Sequence, residues 1–219
     1  MDIDAPGTPI RLGVADDHPA IGAAIALAAQ SSVDGRPIQM VGHARTVAAA
    51  LELVARRGPD APDVLLCDLQ IEHGIDGLAV FEAARGAHGP EMIAFTAHAR
   101  ASLMRAVFEA GGTGFLSKAL ELPAILEAVR TVAAGGTAFS ASTMEAVRQV
   151  PRLPSDRERS VMAGIARGLT SDEIGYRLAI SGRTVESHLR RLFDRYGVVS
   201  RTELVVLATT EGWIDPEAR

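Results

Sequence analysis

Residues 63–68, Asp-Val-Leu-Leu-Cys-Asp, decide the fold of this chain, because a short apolar run ends there in a carboxylate. Such a run is typical of a central strand in a parallel sheet, and these sheets bind ligands at the carboxyl ends of their strands. A second apolar run, residues 10–15, ends in Asp16 and Asp17. If the two strands are neighbours, three carboxylates meet at one edge, and Mg²⁺ is the hard cation that relieves such crowding. We therefore expect a metal-assisted phosphoryl site with Asp68 as the acceptor.

Apolar runs alternate with helical periodicity over residues 10–134. The pattern predicts strands at 10–16, 38–43, 63–68, 91–96 and 113–117, and helices at 18–30, 46–57, 77–87, 100–110 and 121–134. Strands separated by helices indicate an α/β fold, a doubly wound parallel sheet of five strands with right-handed crossovers. Residues 135–152 are predicted to be a linker with one helical segment near 142–150.

The pattern after the linker, over residues 153–219, is helical throughout and predicts a small all-α domain of four helices. Two of the helix starts carry the capping-box pattern, in which a hydroxyl and a glutamate three residues later satisfy free amides reciprocally. These pairs are Ser155 with Glu158 and Thr170 with Glu173. The other two helices are predicted to start near Ser181 and Ser200.

Charge is divided unevenly between the two parts. Residues 1–150 contain 11 basic and 17 acidic side chains, whereas residues 151–219 contain 11 and 10. The acidic part suits cation binding and the more basic part suits nucleic acid. The single cysteine, Cys67, cannot form an internal disulfide, and no apolar run is long enough for a membrane span. We expect a soluble cytoplasmic protein without a membrane partner.

Two further strand ends complete the expected site. Thr96 closes the fourth strand and is able to donate a hydrogen bond to a phosphoryl oxygen, and Lys118 closes the fifth and is able to neutralise its charge. Lys118 is the only lysine in a chain with 21 arginines. The compact ammonium of lysine fits where a planar guanidinium does not. A lysine at this position, in a chain that otherwise uses arginine, therefore favours a functional role for Lys118.

These residues together resemble the receiver domain of bacterial two-component response regulators, which has a flavodoxin-like fold. The resemblance covers residues 10–134 and rests on Asp16-Asp17, Asp68, Thr96-Ala97 and Gly114-Phe115-Leu116-Ser117-Lys118. It implies that Asp68 takes a phosphoryl group from a sensor histidine kinase. It further implies that Asp17 binds Mg²⁺ directly, Asp16 mostly through water and Gln70 through its backbone carbonyl. Thr96 and Phe115 would be the switch pair that responds to phosphorylation.

The loop after Asp68 departs from the family pattern in two ways. Glu72 stands where the family usually has proline, and Asp76-Gly77 arrive one residue late. The departure leaves open an atypical receiver that signals without phosphorylation. A Mg²⁺-dependent phosphatase with an aspartate nucleophile is a weaker alternative, because Gln70 stands where that class needs a second acid. We expect that the chain is not an enzyme.

The third helix of the last domain, predicted over residues 182–196, has two contrasting faces. An apolar stripe is formed by Val185, Leu189, Leu192 and Tyr196, and the opposite face carries Arg183, Glu186, Ser187, Arg190, Arg191 and Asp194. A short helix and a three-residue turn precede it, which is typical of a helix-turn-helix that binds the DNA major groove.

Three segments, 153–158, 168–174 and 180–188, resemble the LuxR-type DNA-binding domain over residues 153–212. Joined to a receiver, this domain resembles the NarL/FixJ subfamily of transcription regulators, which implies promoter DNA as a partner and a homodimer when phosphorylated. By position, base edges would face Glu186, Ser187 and Arg190. Phosphates would contact Thr184, His188, Arg191 and Arg195, with Arg183 nearby on the same face. Leu204, Val205 and Leu207 on the last helix are either core residues or a dimer contact.

Overall fold

The computed structural model of the protein describes residues 7–32, 35–86, 89–97, 100–139, 147 and 150–215. The chain divides into two compact units, residues 1–150 and 151–219. The helical segment predicted near 142–150 lies almost entirely outside the described residues. No helix in the described part of the chain is both long and apolar enough to cross a membrane.

The first unit is the predicted five-stranded parallel sheet with helices in the crossovers. Its elements are β1 Ile10–Ala15, α1 Pro19–Ser31, β2 Ile38–Ala44, α2 Val47–Ala55, β3 Val64–Cys67, α3 Leu78–Ala84, β4 Glu91–Thr96, α4 Ala101–Glu109, β5 Gly114–Ser117 and α5 Leu122–Ala133. The strand order is β2-β1-β3-β4-β5, and every neighbouring pair is parallel. The predicted fold class is therefore confirmed, with element bounds shifted by at most a few residues.

Both faces of the sheet are covered, which explains the continuous apolar runs in its central strands. On one face, Val14, Leu66 and Phe95 pack in a core cluster with Ile25 of α1 and Val129 of α5. Because side chains alternate along a strand, the intervening residues of β3 face the helices on the other side. All four residues of β3 are fully buried. The strand that precedes Asp68 therefore lies entirely within the core.

The strand order places a topological switch point between β1 and β3. The crossovers that follow β1 and β3 lead away from this position in opposite directions, and sheets of this kind bind ligands at the carboxyl ends of the two strands. Ala15 of β1 pairs with Cys67 of β3, and the Asp68 N–H donates to the Ala15 carbonyl at 2.8 Å. Asp16 and Asp68 therefore follow the sheet at the same edge.

The second unit contains the four predicted helices, α6 Asp156–Ala166, α7 Ser171–Arg177, α8 Gly182–Tyr196 and α9 Arg201–Thr210. Their N-caps are Ser155, Thr170, Ser181 and Ser200. Both predicted capping boxes form with both of their hydrogen bonds. The core combines Met162, Ile174, Leu189, Leu204 and Trp213, one or more from each helix and the segment after α9. The cap residue therefore sets the start of each helix, and the apolar faces of the helices pack together in one core.

Candidate functional site

Three predicted residues meet at the carboxyl edge of the sheet. Asp16 is fully buried after β1, and Asp68 is 4% exposed after β3. Lys118, directly after β5, is held in place by its backbone N–H, which donates to the Thr96 carbonyl at 2.9 Å. Its Nζ lies 2.6 Å from Asp68 Oδ2 and 2.7 Å from Asp16 Oδ2. We call Asp16, Asp17, Asp68 and Lys118 the acidic edge.

Burial and charge act against each other in this cluster. Burial raises the pKa of Asp68, although hydrogen bonds from Lys118 and from the Gln70 N–H oppose the rise. The pKa of Lys118 is also raised: burial works against its charge, but the hydrogen bonds and negative charges of Asp16 and Asp68 outweigh that effect. Lys118 Nζ therefore lies between two buried carboxyl groups, both of which favour its charged form.

Asp17 lies between β1 and α1 and contributes a second carboxylate beside Asp16. Its Oδ1 is buried and lies 2.6 Å from His18 Nδ1. Ligand atoms of Asp16, Asp17 and His18 lie within 4.8 Å of one another. Since Mg²⁺ prefers carboxylate oxygens, the oxygens of Asp16 and Asp17 fit this ion, and the His18 nitrogen contributes less to the match. His18 is the N-cap residue of α1, and its N–H donates to Asp16 Oδ1 at 2.9 Å.

The irregular loop after Asp68 is held together by hydrogen bonds to Asp76, an aspartate within the loop. The carboxylate of Asp76 accepts hydrogen bonds from the N–H groups of Ile71, Glu72 and His73, at 3.0, 3.0 and 2.8 Å. Glu72 Oε2 accepts the N–H of Val47 at 2.8 Å, which places this carboxylate at the start of α2. The loop, one residue longer than the family pattern, thus forms a compact turn around the Asp76 carboxylate.

Asp68 keeps its backbone contacts beside this turn. The N–H of Gln70 donates to Asp68 Oδ1 at 3.1 Å. Gly77 packs so closely that a Cβ at this position would lie 2.0 Å from the Asp68 carbonyl oxygen. The loop therefore packs against the backbone of Asp68 and restricts its position. The sequence alone did not predict the conformation of this loop.

The predicted switch residues end or line the neighbouring strands. Thr96 is the last residue of β4 and is 1% exposed. Phe115 lies on β5 and is partly buried, and its N–H donates to the Ala138 carbonyl at 3.2 Å. Ala138 in turn donates to the Thr113 carbonyl at 2.9 Å, so the segment after α5 runs along β5. The switching role of Thr96 and Phe115 stays a prediction.

His43 on β2 supports the acidic edge from outside the residues predicted for the site. Its Nε2 lies 2.9 Å from the Asp16 carbonyl oxygen. Its ring occupies the space over Gly22, where a Cβ would approach Nδ1 to 2.4 Å. The only sequence signal was a glycine inside a predicted helix, which often marks close packing.

Helix α8 has the two faces that the sequence predicted. Val185, Leu189 and Leu192 are at most 1% exposed and lie in the core of the second unit. The exposed set consists of Arg183, Glu186, Ser187, Arg190, Arg191, Asp194 and Arg195. Thr184 and His188 are partly buried. Most of the residues predicted to contact DNA are thus accessible from one side of a capped, well-packed helix.

Two of these exposed side chains are held by partners inside the domain. The guanidinium of Arg195 donates to Glu158 Oε2 at 3.0 Å and lies 3.0 Å from its Oε1. Burial works against the charge of Glu158, but Arg195 and the Ser155 N–H outweigh it and lower its pKa. This pairing weighs against a phosphate contact for Arg195. Glu186 is bound by Arg201 of α9, with Nη2 at 2.5 Å from Oε1.

For one of the three apolar residues of the last helix, burial favours the core over the predicted dimer contact. Leu204 has no exposed surface and belongs to the core, so it cannot contact another subunit while the domain keeps this packing. Val205 and Leu207 are partly buried. The strongly exposed apolar residue of α9 is Val206, at 59%, which is not one of the three predicted contacts.

Comparisons with known proteins agree with the two-part division. Residues 12–130 match the family model described as the response regulator receiver domain. Residues 154–208 match that of the bacterial regulatory proteins of the luxR family.

Similar proteins match along almost the whole chain. The probable transcriptional regulatory protein NarL of Mycobacterium tuberculosis strain H37Rv is 32% identical over 217 residues, 94% of this chain and 96% of the relative. The nitrate/nitrite response regulator protein NarP of Escherichia coli K12 is 28% identical over 210 residues, 91% and 94% of the two chains. A structure of RcsB from Salmonella enterica serovar Typhimurium bound to promoter rprA with phosphomimetic BeF3- has a TM-score of 0.60. It is 21% identical and covers 92% of this chain and 99% of its own.

Proposed function

Because this chain belongs to the response regulators of two-component systems, with a receiver domain followed by a LuxR-type DNA-binding domain, we propose that Asp68 is its phosphoryl acceptor. As a member of this family the protein regulates transcription. Receiver domains bind Mg²⁺ at their acidic pocket and work with histidine kinases, and the proposal extends these properties to named residues here. The observation that carries it is the contact of Lys118 Nζ with both Asp68 and Asp16.

Phosphoryl transfer needs a nucleophile and a cation at the same place. A carboxylate oxygen of Asp68 would attack the phosphorus of a phosphohistidine, the P–N bond would break, and the imidazole would leave with the bonding electrons and take up a proton. Lys118, already 2.6 Å from Asp68 Oδ2, would neutralise the charge of the transferred group. Asp16, Asp17 and the Gln70 carbonyl would hold Mg²⁺, which supplies further neutralisation of the phosphoryl oxygens.

The buried acidic edge would report its state to the second unit through Thr96 and Phe115. The Thr96 hydroxyl would move onto the phosphoryl group, and the ring of Phe115 would turn into the space that is vacated. Phosphorylated chains would then pair and bind promoter half-sites. In this pairing Val205 and Leu207 would be the contacts on α9, and the burial of Leu204 argues against a contact there.

Two other functions have less support. The phosphorylation-independent regulator rested on the irregular loop, and the loop is closed by Asp76 with Gln70 still bonded to Asp68. The phosphatase needs a general acid two residues after the nucleophile, and Gln70 lacks an ionisable group. The relatives are transcription regulators, which also favours a regulator over an enzyme.

Incubation with acetyl phosphate and Mg²⁺ tests the proposal. Intact mass should show one added phosphoryl group on the wild type and on Asp60→Asn, which changes an exposed carboxylate, but none on Asp68→Asn. Sedimentation and duplex binding should show more dimer and tighter DNA binding only for proteins that gain the group. Phosphorylation of Asp68→Asn would contradict the choice of acceptor. Equal DNA binding with and without the group would favour the phosphorylation-independent regulator.

A further inference from the structure

Glu186, on the exposed face of α8, is held by side chains from both neighbouring helices. Arg201 Nη2 of α9 donates to Glu186 Oε1 at 2.5 Å and to Ser171 Oγ of α7 at 2.7 Å. The Ser171 hydroxyl donates to the same Oε1. We call Ser171, Glu186 and Arg201 the recognition-helix cluster. Three helices thus converge on a single carboxylate oxygen.

This arrangement leaves the carboxylate with two unlike oxygens. Within the described part of the chain, all hydrogen bonds and ion pairs recorded for Glu186 end on Oε1. The side chain is 56% exposed, so Oε2 is available as an acceptor. A carboxylate fixed through one oxygen presents the other in a defined direction, and a fixed acceptor discriminates between partners better than a freely rotating one.

The cluster also changes the electrostatics of the exposed face. A glutamate on a helix that enters DNA would be repelled by phosphates, and the guanidinium of Arg201 offsets that charge locally. In the major groove, the cytosine N4 amino group is the donor that a carboxylate accepts. A neutralised and oriented Glu186 suits this amino group better than an unpaired glutamate does.

From these contacts we propose that Arg201 is a specificity-determining positioning residue. Resting on the proposed DNA-binding function, it holds Glu186 so that Oε2 accepts a hydrogen bond from a cytosine in the half-site. Arg201 acts through Glu186 and contacts no base itself. Ser171 completes the clamp from α7. The first helix of the helix-turn-helix therefore takes part in base selection without reaching the groove.

The test measures base discrimination rather than affinity alone. Sites are first selected from a random double-stranded DNA library with the full-length wild type, treated with acetyl phosphate and Mg²⁺. Each position of the selected half-site is then changed to the other three base pairs, and binding is compared for the wild type, Glu186→Gln, Arg201→Ala and Ser171→Ala. Arg177→Ala is the matched control, since it removes an exposed cation from the same domain outside the cluster.

One half-site position should prefer cytosine in the wild type, with at least about fivefold weaker binding of other bases. Glu186→Gln and Arg201→Ala should both reduce this preference to within about twofold, and Ser171→Ala should reduce it partially because Arg201 still holds Oε1. Arg177→Ala should weaken binding equally at all sequences. Circular dichroism establishes folding, and Ser171→Ala carries the test if Arg201→Ala does not fold.

Three results would overturn different statements. If Arg201→Ala and Ser171→Ala keep the full preference while Glu186→Gln loses it, Arg201 does not position Glu186. If Glu186→Gln keeps every preference, Glu186 contacts no base, and the inference fails while the proposed function stands. If the wild type selects no sequence at all, the proposed DNA-binding function itself fails.

Discussion

The acidic edge and the recognition-helix cluster both pair carboxylates with a cation, but they differ in exposure. The side chains of Asp16, Asp68 and Lys118 are 0%, 6% and 13% exposed, whereas those of Glu186 and Arg201 are 56% and 38% exposed. Water compensates for the loss of an exposed partner and cannot do so for a buried one. We therefore expect the acidic edge to contribute strongly to folding stability. The recognition-helix cluster should orient a side chain while contributing little to stability.

Replacing the buried cation should have the largest effect. Lys118→Met keeps most of the side-chain volume but leaves Asp16 and Asp68 without their shared counter-charge. We expect a loss of about 3–5 kcal/mol in the free energy of unfolding, measured by urea denaturation in the presence of a chelator. Mg²⁺ should recover part of this loss, because a bound cation replaces the missing charge.

Arg85→Met is the control for Lys118→Met, since Arg85 is an exposed cation of the same unit. It should change stability by less than about 0.5 kcal/mol. If Lys118→Met is equally harmless, the acidic edge behaves like a surface cluster, and the contrast between the two sites disappears.

The backbone beside the buried cluster should be the next most sensitive position. In Gly77→Ala the new Cβ would lie 2.0 Å from the Asp68 carbonyl oxygen and 2.8 Å from the Leu69 Cα, both backbone atoms. We expect a loss of about 3 kcal/mol and slower phosphoryl uptake from acetyl phosphate, because the chain that carries Asp68 must shift.

Gly86→Ala provides the comparison for Gly77→Ala, since a Cβ at Gly86 meets nothing within 4 Å. It should leave both stability and phosphoryl uptake near the wild-type values. A tolerant Gly77 would show that the loop is not a rigid support for the acceptor.

The sequence predicted features that depend on neighbours along the chain. Helix starts were placed correctly because Ser155 and Thr170 satisfy amides three residues away. Alternating strands and helices predict a parallel sheet, and the carboxyl ends of parallel strands share one edge, so the sequence alone assigns Asp16, Asp68 and Lys118 to that edge.

The missed contacts are made by side chains that reach a different element of the fold. The contact of His43 with the Asp16 carbonyl spans 27 residues, and that of Arg201 with Glu186 spans 15. Nothing in the spacing of these residues encodes the contact, because it depends on how two packed elements are rotated. Leu204 is a similar case. Periodicity identified it as an apolar residue of a helix but could not show whether its side chain lies in the core or on the surface.

The pair of Glu158 and Arg195 lies between the two extremes, with side chains 10% and 33% exposed. Arg195→Met should cost about 2–3 kcal/mol at neutral pH, somewhat less than a fully buried pair because Arg195 is partly solvated. Chemical denaturation of the full chain, followed by a probe of the second unit such as Trp213 fluorescence, measures it.

The pH dependence of this loss follows from the lowered pKa of Glu158. A depressed folded pKa means that the pair's contribution is complete above the ordinary carboxyl value of 4.5 and is lost as the pH falls through the lower folded value. The stability difference between wild type and Arg195→Met should therefore shrink in acid. A difference that stays constant down to the acid limit would show that packing of the Arg195 stem, rather than charge, supplies it.

The smallest stability effect should be found at the recognition-helix cluster. Glu186→Gln keeps the shape of the side chain and removes its charge, and because Glu186 is mostly in water we expect a change within about 0.5 kcal/mol by urea denaturation. The control is Glu82→Gln, an exposed glutamate of α3, which should behave alike. A loss above about 2 kcal/mol for Glu186→Gln would show that the pair of Glu186 and Arg201 contributes to stability as a buried ion pair does.

Arg201 would then be needed to assemble α7, α8 and α9, and any altered DNA preference in its variants would follow from a disturbed helix packing. A near-zero change combined with a lost base preference separates orientation from stability, which is the distinction that exposure predicts.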